Sequence, residues 1–119
     1  MNVAVLGASD KTDRYSYKAI KQLTEKGHRT FPVNPLLKNI DGVPVCKSIR
    51  DIPEPVDTLT VYLSAANSNG IAPDILASGA RRVIFNPGAE NPELTAQLTE
   101  NNVSVLNACT LVMLNTEQF

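Results

Sequence analysis

The sequence predicts an α/β fold: a doubly wound parallel sheet with helices on both faces, making three layers in a single domain. Three observations lead there. Short apolar or β-branched runs alternate with segments of helical period along the chain, which is the pattern of strands joined by crossover helices. The first run, Asn2 to Leu6, is continuously apolar from Val3 and stops at Gly7, as a buried parallel strand does. The 119 residues are the usual size of one domain with one ordinary core.

Each element has its own local signal. Tyr15 to Lys26 carries apolar residues at Tyr15, Ala19, Ile20 and Leu23, the spacing of one helix face, and Gly27 ends it as a C′ residue. Thr30 to Val33 is the second strand, closed by Asn34-Pro35. Between Leu36 and Pro55 the pattern is irregular: a turn at Asp41-Gly42, a short strand at Val43 to Cys46, one helical turn at Ser48 to Ile52. Pro53 and Pro55 break anything longer. Thr58 to Leu63, rich in β-branched and aromatic residues, is a central strand. Asn67 to Gly79 has helical tendency with Ile71, Ile75 and Leu76 on one face, and Pro73 puts its regular part near that residue. Arg82 to Phe85 is a strand. Asn91-Pro92-Glu93 reads as a capped helix start running to about Asn101. Val103 to Leu106 is the final strand, followed by a short helical or irregular tail. Parallel strands of this kind take right-handed crossovers.

Composition narrows the function classes. Hydrophobic residues are 43 % and charged residues 19 % of the chain, with a net charge of −1. That is a globular composition with no basic field to collect nucleic acid or an anionic membrane, so any anion site must be local. Two cysteines, Cys46 and Cys109, make neither a disulfide scaffold nor a metal cluster. Strand-like sequence from Asn2 leaves no room for a signal peptide, and no apolar run reaches the roughly 20 residues of a membrane span. The expectation is a reduced, cytoplasmic protein, with a homo-oligomer or a partner enzyme as its candidate associations.

Ligands of open parallel sheets bind beyond the carboxyl ends of the strands, where strand order reverses. Five loops fall at that edge: Gly7-Ala8-Ser9-Asp10, Asn34-Pro35, Ser64-Ala65-Ala66, Asn86-Pro87-Gly88-Ala89 and Asn107-Ala108-Cys109. Their small residues let a ligand approach the backbone, whose free N–H groups bind phosphate; each alone also reads as an ordinary turn. The first loop has one glycine where the dinucleotide fingerprint has three, and its weight comes from lying between a strand and a helix. Arg14, Lys11 and Lys18 stand near that helix start as phosphate partners or solvated charges. An NAD site places an acid after the second strand to bind the ribose hydroxyls; Asn34-Pro35 stands there instead. That disfavours NAD and suits a ribose bearing a phosphate, with Lys38 nearby.

Catalytic chemistry is sparse. His28, the single histidine, falls at the amino-end edge of the sheet, so no histidine activates a serine or cysteine at the site. Cys109 lies at the correct edge, either as a small apolar residue or as a thiol lowered by a cation or helix start. Asp10, Asp13 and Glu90 read as loop or capping residues.

Several stretches together resemble the small, stand-alone CoA-binding domain proteins, related to the nucleotide-binding domain of the succinyl-CoA ligase α subunit. They are Val3 to Ser9, Pro32 to Pro35, Gly42 with Ser48 to Pro53, Val56-Asp57, Arg82 to Glu90 and Ala108 to Leu114. The resemblance implies a Rossmann-like fold and coenzyme A as ligand. It implies pyrophosphate near Gly7, Ala8 and Ser9, and adenosine near Val33, Asn34, Pro35 and the loop after Tyr62. The expected binding set is these residues with Arg14, Lys38, Asn86, Pro87, Gly88 and Cys109, without catalysis. The ligase's phosphorylated histidine has no counterpart here, so ligase activity does not carry over. The alternatives are an NADP- or NAD-binding oxidoreductase or dinucleotide sensor, CoA-thiol chemistry at Cys109, and a structural subunit without ligand affinity.

Overall fold

A computed structural model describes residues 1–119. Its elements are β1 (Asn2–Leu6), α1 (Tyr15–Glu25), β2 (Arg29–Val33), β3 (Asn39–Ile40), β4 (Val43–Pro44), β5 (Thr58–Val61), α2 (Ala65–Gly70), α3 (Ala72–Ala77), β6 (Arg82–Phe85), α4 (Pro92–Glu100), β7 (Ser104–Asn107) and α5 (Thr110–Asn115). A single 3-10 turn covers Ile49–Asp51.

Five strands form one parallel sheet in the order β2-β1-β5-β6-β7, and β3 and β4 form a separate antiparallel pair. The register aligns Leu6 with Val33 on one side and Val61 on the other, so these strands end level. Cys46 makes an isolated parallel bridge to Val33 outside β2. Its N–H donates to the Pro32 carbonyl at 2.9 Å and its carbonyl accepts from the Asn34 N–H at 3.0 Å. A one-residue stub thus occupies the place of a further strand beyond β2. The chain winds outward through β2 and then returns to the far side of β1 through β5. The order reverses between β1 and β5, which makes the gap at their carboxyl ends the switch point of the sheet.

Alternation along β1 divides the core. Val3 and Val5 face one layer with Ile20 and Leu23 of α1 and Leu114 of α5. Ala4 and Leu6 face the other, with Ile49, Ile75 of α3, and Leu94 and Leu98 of α4. Period-2 side chains on β1 and period-3.6 side chains on the helices meet in this way because burying both apolar surfaces requires it.

Three elements differ from expectation for physical reasons. The helix expected over 67–79 is two pieces, α2 and α3, joined at Ile71. Ser64 caps the first piece by accepting from the Asn67 N–H at 3.3 Å, so helix begins before Pro73. Pro73 has no N–H to continue the ladder and sits in the first turn of the second piece. Tyr15, expected on the buried face of α1, is 63 % exposed; Ser16, 4 % exposed, is the buried residue of that turn. The central strand stops at Val61, leaving Tyr62 and Leu63 in the loop beyond it. Asn91 caps α4 as expected, accepting from the Leu94 N–H at 3.0 Å. It also donates to Ser68 Oγ at 2.8 Å and Asn69 Oδ1 at 2.9 Å, tying α2 to α4.

Candidate functional site

Gly7 is the pivot of the carboxyl edge. Its φ is +80°, and a Cβ built on it would stand 3.1 Å from Leu63 Cδ2, 3.2 Å from the Tyr62 carbonyl carbon and 3.3 Å from its oxygen. Glycine is needed twice here: for the left-handed backbone, and because β1 turns against the chain leaving β5. Two cavities open on either side of it.

The first, about 410 Å³, is lined by Gly7, Ser9, Lys11, Asp13, Arg14 and Tyr62, with Tyr15 and Ser16 of α1. Local geometry makes it an anion-accepting end. Arg14 is the N-cap residue of α1 in extended backbone, its side chain makes no cap, and the first helical turn has no acid. The first intrahelical-type bond runs from the Lys18 N–H to the Arg14 carbonyl at 3.2 Å, so the N–H groups of Tyr15, Ser16 and Tyr17 have no backbone acceptor. Open N–H groups at a helix start, with the Arg14 and Lys11 cations and the Asp13 carboxylate in the same lining, are the kind of group an anion can approach. Ser9 shapes the loop by accepting from the Lys11 N–H at 3.1 Å.

The second cavity, about 380 Å³, lies between the ends of β1 and β2 and the crossover beyond β5. Its apolar lining is Leu6, Val33, Pro35, Ile49, Leu63 and Ile71. Its polar lining is Asn34, Lys47, Ser48, Asn67 and Asp74. Asp74 is engaged by Arg50 at 3.5 Å. This shape, an apolar floor with a polar rim, suits a flat heterocycle and a sugar. Gly7 lines both cavities, so together they make one elongated crevice across the switch point.

The structure brings together Gly7, Ser9, Arg14, Val33, Asn34, Pro35 and Tyr62 of the expected set. Asn34 takes part mainly through its backbone position. Its Oδ1 accepts from the Leu36 and Leu37 N–H groups at 2.8 and 3.1 Å, and its Nδ2 donates to the Ala8 carbonyl at 2.9 Å. Asn34 is therefore the turn former that pins the first loop to the second. Ala8 is buried, 2 % exposed, under that contact. Lys38 lines neither cavity; Lys47, brought in by the strand stub at Cys46, stands in the second one.

The fourth and fifth loops lie outside both cavities. Asn86, 2 % exposed, is a structural tie. Its Nδ2 donates to Thr60 Oγ1 at 2.8 Å and to the Val61 carbonyl at 2.9 Å, and its Oδ1 accepts from the Thr110 N–H at 2.8 Å. The Thr60 and Thr110 hydroxyls share a bond of 2.8 Å. This buried network fixes the start of α5 to the ends of β5 and β6. Pro87 and Gly88 are exposed, and Glu90 closes their loop by accepting from the Gly88 N–H at 2.9 Å. Cys109 is half-buried just before α5. The Tyr62 hydroxyl is buried without a hydrogen-bond partner. Burial pushes its pKa up to about 12, against the weaker opposing influence of the nearby Thr60 and Thr110 hydroxyls.

His28 lies at the amino-end edge, as its place in the sequence implies. Its Nδ1 is 3.2 Å from the Met1 amino nitrogen, and its ring meets Phe119 edge to face at 5.3 Å. Burial, then the neighbouring ammonium, pushes its pKa down. No cluster of three or more His, Cys, Asp or Glu side chains is placed to hold a metal, and no helix is long and apolar enough to cross a membrane. Lys47, Ile71 and Asp74 were beyond the reach of sequence reasoning. Each reaches the crevice from a crossover segment whose path no local signal specifies.

Comparison with known proteins gives the family. The CoA binding domain family matches residues 1–115. An uncharacterized protein of Bacillus subtilis, YneT, is 30 % identical over 104 residues, 87 % of this chain and 77 % of that protein. The α subunit of the ADP-forming acetate–CoA ligase II of Pyrococcus furiosus is 38 % identical over 62 residues, which is 51 % of this chain and 14 % of the subunit. The match thus covers a small part of the ligase subunit. A solved structure of an uncharacterized protein superposes with a TM-score of 0.93 at 38 % identity, covering 99 % of this chain and 97 % of that one. A Thermus thermophilus protein superposes at 0.89 and 30 % identity, covering 99 % and 90 %. With the Rossmann-like sheet, the glycine at its switch point and a family match along almost its whole length, the chain belongs to the CoA binding domain family.

Proposed function

We propose that this chain binds coenzyme A, or an acyl-CoA, in the crevice at the β1/β5 switch point. The observation that carries the reading is the uncapped start of α1, with Arg14 and Lys11, opening into a cavity that shares Gly7 with a second, apolar-floored one. Coenzyme A supplies a diphosphate, an adenosine with a phosphorylated ribose, and a thiol-bearing arm. The residues present fit the diphosphate and the adenine. The N–H groups of α1 and the Arg14 and Lys11 side chains receive the diphosphate. Leu6, Val33, Ile49, Leu63 and Ile71 enclose the adenine, which leaves water for an apolar slot. The glycine at position 7 keeps the backbone low enough for a diphosphate to cross between the two cavities.

The same residues argue against a ribose with free hydroxyls as the preferred ligand. No acid follows β2, and the one carboxylate lining the second cavity, Asp74, is paired with Arg50. The reading is one of binding and assigns no reaction. The Asn86–Thr60–Thr110 network and the half-buried Cys109 lie beyond the crevice, at the end of the edge nearest α5.

Calorimetric titration with CoA, NAD, NADP and ATP tests it. The expected result is saturable CoA binding below millimolar, a level equivalent to about 4 kcal/mol, with the other three weaker. Absence of CoA binding, or tighter binding of NADP, overturns it.

A further inference from the structure

The cations of the crevice fall into two groups, and the second group is a single residue. Lys11 and Arg14 line the cavity at the start of α1. Lys47 lines the cavity at the end of β2 and is the only cation there. The chain's ion pairs are Arg29–Glu54, Arg50–Asp74 and Arg81–Asp57, and none uses Lys47. The Asp74 carboxylate in the same cavity is already held by Arg50. The Asn34 side chain is occupied by Ala8, Leu36 and Leu37, so its oxygen cannot also serve a ribose hydroxyl. Lys38, the cation closest in sequence to the end of β2, lines neither cavity. Lys47 is held where it is by the Cys46 bridge to Val33.

We infer that Lys47 is the residue that selects a ligand carrying a phosphate on its ribose. The inference rests on the CoA reading and deepens it. A nucleotide lying across Gly7 with its diphosphate at α1 has its ribose at the β2 side, where Lys47 is the one cation lining the cavity and the nearby Arg50 is already paired with Asp74. An ammonium pairing with a phosphate there favours CoA over its dephosphorylated form. Because Lys47 is exposed, the preference is modest and falls with salt: about tenfold at low ionic strength, the scale of one charge-assisted contact.

The test is calorimetric titration of CoA and 3′-dephospho-CoA, at low and high salt, into the wild type, Lys47→Ala and Lys38→Ala. Circular dichroism verifies that each variant is folded, and Lys47→Gln repeats the measurement with a longer neutral side chain. The wild type is expected to prefer CoA about tenfold. Lys47→Ala and Lys47→Gln are expected to lose that preference by weakening CoA alone, and Lys38→Ala to keep it. The inference is overturned if the preference survives both Lys47 variants, disappears in Lys38→Ala, or if both ligands weaken equally. Wild type that binds CoA without preference refutes the Lys47 inference and leaves the CoA reading standing. Wild type that binds neither ligand refutes both.

Discussion

Gly7→Ala puts one methyl group at the tightest point of the carboxyl edge, and its cost separates into two parts. The first is conformational. At φ +80° an L-residue is in the left-handed region, which costs about 1–2 kcal/mol. The second is steric. The new Cβ would lie 3.1 Å from Leu63 Cδ2 and 3.2–3.3 Å from the Tyr62 carbonyl group. The leucine can rotate, but the carbonyl belongs to the chain leaving β5, whose Tyr62 N–H is bonded to the Leu6 carbonyl at 2.9 Å. Overpacking against such fixed neighbours costs about 1–3 kcal/mol. Gly27 gives the control. Its φ is +86° and a Cβ there meets nothing within 4 Å, so Gly27→Ala reads the conformational part alone. Urea unfolding of both variants is expected to show a loss of about 1–2 kcal/mol for Gly27→Ala and about 2–5 kcal/mol for Gly7→Ala. Only Gly7→Ala should also weaken CoA binding, because it separates β1 from β5 at the crevice. Equal losses for the two variants would refute the close-approach argument. Unchanged CoA affinity in Gly7→Ala would refute the placement of the ligand across this glycine.

Two further outcomes follow from the buried polar groups. Asn86→Ala leaves the buried Thr110 N–H without its acceptor, while the Val61 carbonyl keeps the backbone N–H of residue 86 at 3.2 Å, and the change is expected to cost about 1–3 kcal/mol in chemical denaturation, the penalty of one orphaned group; a loss under about 1 kcal/mol would mean that α5 is not held by this network. Tyr62 holds its proton more tightly folded than unfolded, with a pKa of about 12 against 10.0. The folded state therefore binds more protons between those values, and stability is expected to fall as pH rises from 10 towards 12. Tyr62→Phe removes that contribution along with an unpartnered hydroxyl, so its stability at pH 7 should equal or exceed the wild type's. A clear destabilisation would show that the hydroxyl has a partner, such as a buried water.

The strands and the pivot of the site were legible locally. Val3 to Leu6 is apolar on both faces because β1 is covered by helices on both, and a strand of that kind advertises itself in any sequence. Gly7 was readable as a turn for the same reason, since it closes a buried strand just before a helix. The cap at Asn91 and the stop at Gly27 are also local devices, decided within a turn of chain. Asn34 was legible as a turn, but how its amide is spent was not. That depends on Ala8 coming to lie beside it, a contact across 26 residues.

Five small-residue loops at one edge looked equivalent in the sequence, and the sheet order made them unequal. Reversal between β1 and β5 puts the first two around the crevice, leaves the third bordering it through its neighbours Leu63 and Asn67, and keeps the last two outside it. Asn86 shows the consequence. It has the composition of a ligand residue, and burial turned it into a tie between β5, β6 and α5. The exchange of Lys38 for Lys47 has the same origin. Lys38 is nearer the end of β2 along the chain, yet the hairpin β3–β4 carries the chain away and the Cys46 bridge brings it back, delivering Lys47 instead. The sequence by itself determined which segments are the main strands and helices, and that a glycine closes the first buried strand, because propensity, periodicity and capping act within a few residues. Only the tertiary structure decided which side chains reach that glycine, because strand order and crossover paths are settled by burial of whole faces, over distances no local pattern spans.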